Sequence, residues 1–330
     1  MSRIPEDMLR TLFAIAFIVA VVEPQPDGIT LDGDSTKPMP LLGFGTCCRK
    51  TAKGAPLIAS TKEYLAQGGR LIDTAQMYGN HRDLGFAIRA SGIPREHIWL
   101  TSKVNTKRVT TKKAAFDACV QSAQELGVEY IDLMLIHGVW TLSAEQAADV
   151  WRGLIDAKAA GKVRHIGVSN FERSDLEKLI SATGVKPAVH QLEYHPFVPQ
   201  GVHQLVSWCQ EHGIAVTAYG SLGSSSNRAK GDEVAKVAQA HGVSSAALLL
   251  RWALNSGVAV IPGATSAEHI RENLALPEVK LSTEEIARIS STSTRPSSFK
   301  LWGNLPSEYS ASLVGRVGRL WGKGRRWRRE

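Results

Sequence analysis

Short apolar runs alternate with longer stretches of helical spacing through most of this chain. The stretches 112–128 and 143–162 repeat apolar residues every three or four positions, and the second opens on a Ser cap and ends near Gly161. Near-continuous Val, Ile and Leu runs between helices indicate parallel strands that helices cover. The eight apolar runs lie at 41–46, 70–75, 98–104, 131–138, 164–170, 188–194, 215–221 and 258–264.

Eight strand–helix units in a row predict an α/β fold, a (β/α)8 TIM barrel with an N-terminal β-hairpin. The hairpin is predicted over residues 28–40, with its turn at Asp32 and Gly33. An open nucleotide-binding sheet is the rival, since GFGTCC (43–48) begins like a glycine-rich phosphate loop. Cys48 stands where the third glycine should be, and two glycines alone are weak evidence.

Two extensions flank the predicted barrel domain of residues 28–292. Residues 1–27 contain an apolar run, 11–22, that is too short to span a bilayer. A signal, anchor or targeting segment and a fortuitous apolar extension both remain open for it. Residues 293–330 are rich in Ser, Pro, Gly and Arg, and we expect a flexible extension. Its basic end is either a solvated charge run or a contact for an anionic membrane.

The net charge of +8 is concentrated at the C-terminus. Residues 316–330 carry seven Arg or Lys against one Glu, so the body of the chain is close to neutral. A near-neutral body predicts no nucleic-acid partner. The four cysteines have neither CxxC nor metal-ligand spacing. We therefore expect free or buried thiols, no metal and a cytoplasmic location, although the apolar run at 11–22 leaves membrane, secretory or organelle targeting open.

Polar side chains collect where the predicted strands end. In a barrel those ends meet on one face, which is the active-site face of barrel enzymes. Taken singly, such residues are helix caps, surface lysines or core histidines. Taken together on neighbouring strands, they predict a functional site. The residues are Asp73, Lys103, His137, Ser169, Asn170, Gln191, Glu193, Tyr219 and Ser221.

Asp73, Lys103 and Tyr78 form a chemically coherent set for proton transfer. The pKa of a free tyrosine, near 10, is too high for proton transfer at neutral pH. A lysine ammonium lowers that pKa, and a carboxylate orients the lysine. His137 could donate a hydrogen bond to a carbonyl oxygen or tune the tyrosine. We find no Ser or Cys nucleophile paired with a base and no zinc spacing, so hydrolysis by those routes is not expected.

The sequence resembles the aldo-keto reductases over about residues 28–292. DTAQMYGN matches the segment that carries the family's catalytic Asp and Tyr, LTSKV its lysine and LMLIHG its histidine. GKVRHIGVSNF, HQLEYHP and VTAYGSLG match three cofactor-binding segments in the same order. The resemblance implies an NAD(P)H-dependent reductase of aldehydes and ketones, without metal, acting as a monomer on a small-molecule carbonyl.

The resemblance also implies residue roles. Hydride would pass to the carbonyl carbon while Tyr78 protonates the oxygen, with Asp73, Tyr78, Lys103 and His137 as the catalytic set. Tyr78, His137 and Trp140 would bind substrate. SLGSSSN (221–227) would follow the pyrophosphate, although a plain polar turn is the alternative. The implied cofactor contacts are Gly45, Thr46, Asp73, Ser169, Asn170, Gln191, Tyr219, Ser221, Leu222, Ser224, Thr265, Glu272 and Asn273.

Several positions depart from the family's pattern. Gly263 and His269 replace the lysine and arginine that hold the 2′-phosphate of NADPH, which predicts weakened NADPH binding and leaves NADH open. Arg271 is an alternative cation on the same predicted helix. Trp-Pro after the histidine becomes Gly138-Val139, and His81 replaces a Glu, as a pocket residue or a solvated histidine at a helix start.

Two other function classes fit parts of the sequence. A non-catalytic, regulatory NADP(H)-binding barrel would not need Tyr78, so the complete catalytic set argues against it. A barrel hydrolase or isomerase that uses Glu193 needs a second carboxylate at a strand end, and the sequence offers no obvious one.

Overall fold

Eight parallel strands close into a barrel in the computed structural model, which describes residues 28–223 and 232–291. Each strand hydrogen-bonds to the next one along the chain. The barrel closes where Leu42 bridges Val260 and the Gly45 N–H donates to the Pro262 carbonyl at 3.1 Å. The strands are β3 (Gly43–Gly45), β4 (Leu71–Asp73), β5 (Trp99–Val104), β6 (Ile131–Ile136), β7 (Val163–Ser169), β8 (Val189–Glu193), β9 (Ala215–Tyr219) and β10 (Ala259–Val260).

An antiparallel hairpin precedes the barrel, as predicted. It pairs β1 (Gly28–Leu31) with β2 (Asp34–Pro40). Its turn residues Asp32 and Gly33 have φ of 53° and 77°, the left-handed conformation that favours Asp-Gly in tight hairpins. Leu31 packs in a buried cluster with residues that begin barrel strands. The hairpin therefore covers the amino end of the barrel and leaves the carboxyl end for the site.

Helices surround the strands and bury the main core against them. The predicted helix 143–162 is confirmed, since the Ser143 side chain and Gln146 form a capping box at its start. The helices are α1 (Gly54–Ala66), α2 (His81–Ala90), α3 (Lys112–Leu126), α4 (Ala144–Ala159), α5 (Arg173–Thr183), α6 (Gln200–Glu211), α7 (Asp232–Ala240), α8 (Ser245–Asn255), α9 (Ala267–Leu274) and α10 (Thr283–Ser291).

All eight predicted strands are present, but several end earlier than predicted. The run 131–138 gives a strand at Ile131–Ile136, and 258–264 gives one at Ala259–Val260. The residues beyond the shortened carboxyl ends, such as His137 and Gly138 after β6 and Ile261 and Pro262 after β10, enter the loops of the carboxyl face. No helix within the described ranges is both long and apolar enough to cross a bilayer. The predicted extensions, including the apolar run 11–22, lie outside the described residues.

The prediction of four free cysteines is wrong for two of them. Cys47 and Cys48 are joined in a disulfide on the loop after β3, whereas Cys119 and Cys209 are free and buried. A bond between sequence neighbours has no spacing signature of the kind that CxxC provides. The sequence pattern therefore could not reveal it.

Candidate active site

A buried ion pair lies at the carboxyl ends of β4 and β5. The Lys103 ammonium donates to Asp73 Oδ1 at 2.6 Å and to the Thr74 carbonyl at 3.0 Å. Asp73 is 2% exposed and Lys103 is 1% exposed. The second carboxylate oxygen, Asp73 Oδ2, accepts from the Gln191 amide at 2.7 Å. Both oxygens therefore have donors, which is what lets a carboxylate remain charged in a protein interior.

Tyr78 stands beside this pair at the end of a short 3-10 helix, Gln76–Tyr78, that closes on Gly79. The Lys103 Nζ is 3.4 Å from the Tyr78 Oη and 5.2 Å from the centre of its ring. The predicted relay residues are thus brought together. The ammonium is the group that links the carboxylate to the phenol.

The pKa values of the relay residues reflect burial as well as the charges of their neighbours. Burial raises the pKa of Tyr78 above its usual value, and the charge of Lys103 offsets only part of that effect. Lys103 thus lowers the Tyr78 pKa as expected, but desolvation is the larger influence and the net shift is upward. Burial also opposes the charged form of Lys103, yet Asp73 and Tyr78 outweigh it and raise the lysine pKa. The cluster holds a protonated phenol against a protonated amine.

His137 follows β6 and faces the same tyrosine. Its ring lies edge-on to the Tyr78 ring with centres 5.7 Å apart, and 5.4 Å from the Trp140 ring. Burial, and then the nearby charge of Lys103, lowers the pKa of His137 to about 3, so the imidazole is neutral at physiological pH. Its Nδ1 is buried, and no described group forms a hydrogen bond with it. A Cβ on Gly138 would come within 2.5 Å of Trp140, so the glycine lets that indole fold over beside His137.

Asn170 anchors a second group of polar side chains at the ends of β7 and β9. Its φ of 57° is uncommon for a residue other than glycine. In that conformation its amide donates to the His137 carbonyl at 2.9 Å and to Ser169 Oγ at 3.0 Å. The Tyr219 hydroxyl donates to Asn170 Oδ1 at 2.7 Å. Together with Gln191 these uncharged hydroxyl and amide groups are of the right chemistry for the neutral carboxamide of a nicotinamide.

The loop after β3 is held against Asp73. The Thr46 N–H and hydroxyl both donate to the Asp73 carbonyl, at 3.1 and 2.8 Å, and the Asn80 amide donates to the Thr46 carbonyl at 3.1 Å. A Cβ on Gly45 would lie 2.5 Å from the Ile261 carbonyl oxygen, so only glycine fits there. Asn80 belongs to the DTAQMYGN segment, but no role was predicted for it from the sequence.

Comparison with known proteins decides the family. A family model described as "Aldo/keto reductase family" matches residues 50–294. The chain belongs to the aldo-keto reductases. It is an oxidoreductase of small-molecule carbonyl compounds that uses a nicotinamide cofactor.

Individual relatives of this aldo-keto reductase come from distant organisms. The chain is 38% identical over 255 residues to a 9,11-endoperoxide prostaglandin H2 reductase of Trypanosoma cruzi, covering 76% of this chain and 87% of the relative. It is 34% identical over 249 residues to a methylglyoxal reductase of Escherichia coli O157:H7, covering 75% and 90%. A solved aldo-keto reductase of Bombyx mori in complex with NADP superposes with a TM-score of 0.71 at 29% identity, covering 82% and 94%.

The remaining predicted cofactor positions lie on the loops and helix at the same face of this aldo-keto reductase. The Ser221 hydroxyl donates to the Ala218 carbonyl at 3.2 Å, and Glu272 accepts from the Ser244 hydroxyl. Leu222 and Asn273 are half-buried, whereas Gly263, Thr265 and His269 are exposed. Ser224 lies outside the described residues.

His81 begins helix α2, as one of its two interpretations expected, but it is not solvated. It is 3% exposed, with Nδ1 at 3.1 Å from Glu125 Oε2 and Nε2 at 3.0 Å from Ser102 Oγ. The contact does place a serine beside a base. The arrangement resembles a hydrolase triad, but Ser102 is completely buried. A serine that no substrate can reach fixes helix α2 to β5 and is not a nucleophile.

Proposed function

We propose that this aldo-keto reductase reduces aldehydes and ketones to alcohols with Tyr78 as the proton donor. The observation that carries the proposal is the Lys103 ammonium, held at 2.6 Å from Asp73 and 3.4 Å from the Tyr78 hydroxyl. A protonated phenol is the correct starting state for an acid. Once its proton leaves, the ammonium stabilises the phenolate, and Asp73 keeps the ammonium charged and oriented.

His137 is proposed as the second polar contact for the substrate oxygen. Its imidazole is neutral, because burial and Lys103 hold its pKa at about 3. A neutral imidazole carries one N–H donor, which can position a carbonyl oxygen beside Tyr78 without competing for the proton. The Trp140 ring lies 5.4 Å from the His137 ring, which supports the proposal that Trp140 forms part of the wall of the substrate pocket.

The polar group around Asn170 is proposed to hold the nicotinamide. When bound, the cofactor supplies the hydride. Ser169, Asn170 and Gln191 would orient its carboxamide, and Tyr219 would pack on its ring. Gly45, Thr46, Ser221, Leu222, Ser224, Thr265, Glu272 and Asn273 complete the proposed cofactor contacts. The cofactor proposed is NADPH, with NADH as the alternative that Gly263 and His269 leave open.

The substrate is proposed to be a small reactive carbonyl compound. One relative is named as a methylglyoxal reductase, which makes methylglyoxal the first compound to assay. The four proposed catalytic residues lie on a single chain, which supports action as a monomer. Contact of the terminal extensions with a membrane remains a prediction from their sequence.

Two measurements on the wild-type protein test this function. Quenching of tryptophan fluorescence reports binding of NADPH and NADH, and loss of reduced-nicotinamide absorbance reports turnover of methylglyoxal and other aldehydes. The proposal expects binding of at least one cofactor and aldehyde-dependent oxidation of it. Binding without turnover of any aldehyde or ketone would support the regulatory alternative, and absence of binding would overturn both.

A further inference from the structure

The guanidinium of Arg49 lies directly against the backbone of Gly263. A Cβ at Gly263 would be 2.1 Å from Arg49 Nη1 and 2.2 Å from Nη2. The space that the first carbon of any larger side chain would need is thus filled by the arginine head group. Any larger residue at 263 would require the Arg49 head group to move, so the two positions are coupled.

Arg49 carries a charge that the described part of the protein does not neutralise. Its Nη2 donates to the Gly45 carbonyl at 2.7 Å. No carboxylate within residues 28–223 and 232–291 forms an ion pair with it. Its Nε is buried, with no hydrogen-bond partner among the described groups. Burial accordingly lowers the pKa of this arginine. A half-buried guanidinium whose donors lack partners carries a desolvation cost, and a bound anion would offset that cost.

The position of Arg49 indicates which anion. Gly45 ends the first barrel strand, and Gly263 follows the last one, so the guanidinium sits on the carboxyl face where the barrel closes. Residue 263 is also the position at which the family's phosphate-binding lysine was expected. A guanidinium packed there occupies the volume from which that lysine would start. Arg271, the other cation considered, is exposed on helix α9 and forms no ion pair within the described residues.

We infer that Arg49, admitted by Gly263, is the cation that recognises the 2′-phosphate of NADPH in this chain. The inference rests on the proposed function and adds a specificity residue to it. A guanidinium suits this task because its planar donors can bind two phosphate oxygens at once. The family's lysine and arginine at positions 263 and 269 are replaced by one arginine, which reaches the site from the β3 side of the closure between β3 and β10.

The test measures NADPH and NADH affinity separately, by quenching of tryptophan fluorescence, in wild type and Arg49→Gln. A hydrogen bond to a charged group contributes roughly 1.5–3 kcal/mol, so Arg49→Gln should weaken NADPH binding by about 10- to 150-fold. NADH binding should change by less than about 3-fold, since NADH lacks the phosphate that Arg49 contacts. Adenosine 2′-monophosphate, which carries that phosphate without the nicotinamide, should lose affinity in parallel with NADPH. The matched control is Lys50→Gln, which removes an exposed charge next in sequence.

The coupling with residue 263 gives a second, independent readout. Gly263→Lys alone should displace Arg49 and should not improve NADPH binding. In the Arg49→Ala background the same lysine has room, so Arg49→Ala/Gly263→Lys should bind NADPH more tightly than Arg49→Ala. Melting curves of each variant establish that it is folded before binding is measured.

Three results would overturn the inference. The first is that Arg49→Gln binds both cofactors with wild-type affinity, and the second is that it loses affinity for both equally. The third is that Arg271→Gln, and not Arg49→Gln, selectively loses affinity for NADPH. Failure of the proposed function is distinguishable, because then the wild-type protein itself binds neither cofactor.

Discussion

Replacing Asp73 by Asn tests the energetic centre of the site. The change removes one negative charge and almost no volume, and Gln191 can rotate its amide to keep a hydrogen bond. Lys103 then has no counter-ion, although the Thr74 carbonyl still accepts from it at 3.0 Å. At the observed separation of 2.6 Å, the Coulomb attraction lost is about 6 kcal/mol with an effective dielectric constant of 20.

The net cost is smaller than this gross value, because Asp73 no longer has to be desolvated. Removing one partner of a buried pair typically costs about 3–5 kcal/mol, and we expect Asp73→Asn to lose about 3 kcal/mol of unfolding free energy at pH 7. Turnover should fall by roughly 10²- to 10⁴-fold, since Lys103 loses the group that keeps it charged beside Tyr78.

Urea unfolding at pH 7 measures the change in unfolding free energy, and an exposed ion pair with the same N···O distance is the control. Lys113 and Asp117 are also 2.6 Å apart, but their side chains are 85% and 55% exposed. Asp117→Asn should therefore cost less than about 1 kcal/mol. The double variant Asp73→Asn/Lys103→Met should be more stable than Asp73→Asn alone, because it leaves no unpaired buried charge. If Asp73→Asn costs no more than Asp117→Asn, the account of the buried pair is refuted.

Three further predictions concern stability and the serine–histidine pair. Burial lowers the pKa of His190 to about 3, so on acidification the unfolded chain binds the proton first and the free energy of unfolding should fall from pH 6.5 towards pH 5. His190→Gln should reduce that pH dependence by up to about 1.4 kcal/mol per pH unit, as measured by urea unfolding across this window. Gly45→Ala should lower the free energy of unfolding by about 1–3 kcal/mol, measured by thermal unfolding, because the new Cβ meets the Ile261 carbonyl. Gly201 lies in a helix with open space around it, so Gly201→Ala should be neutral or stabilising, and equal effects of the two variants would contradict this interpretation. Ser102→Ala should keep aldehyde reduction while losing about 1 kcal/mol of stability, and loss of turnover would give the buried serine a chemical role.

The fold and the position of the candidate site could be predicted from the sequence because each rests on a local pattern. Eight apolar runs separated by helical spacing determine the barrel, and the Asp-Gly turn determines the hairpin. Asp73 and Lys103 lie at the carboxyl ends of β4 and β5, and His137 directly follows β6, so the barrel geometry alone brings them to one face.

The remaining features depend on distances that no local pattern contains. The bond from Gln191 to Asp73 spans 118 positions of the chain, and the partner of His81, Glu125, comes from another helix. The net pKa of Tyr78 required the balance between burial and the charge of Lys103, which only the packed site provides. The contact of Arg49 with Gly263 joins the first and last strands of the barrel, and the sequence showed only the missing lysine.

The role of Tyr78 is tested most directly by a single-turnover measurement on Tyr78→Phe with NADPH bound. The phenylalanine keeps the ring packed against His137 and Lys103 and removes only the hydroxyl. We expect NADPH affinity within about 3-fold of wild type and a rate of methylglyoxal reduction lower by at least 10²-fold, the smallest usual contribution of a general acid. Reduction at the wild-type rate would contradict the central claim that the Tyr78 hydroxyl supplies the proton.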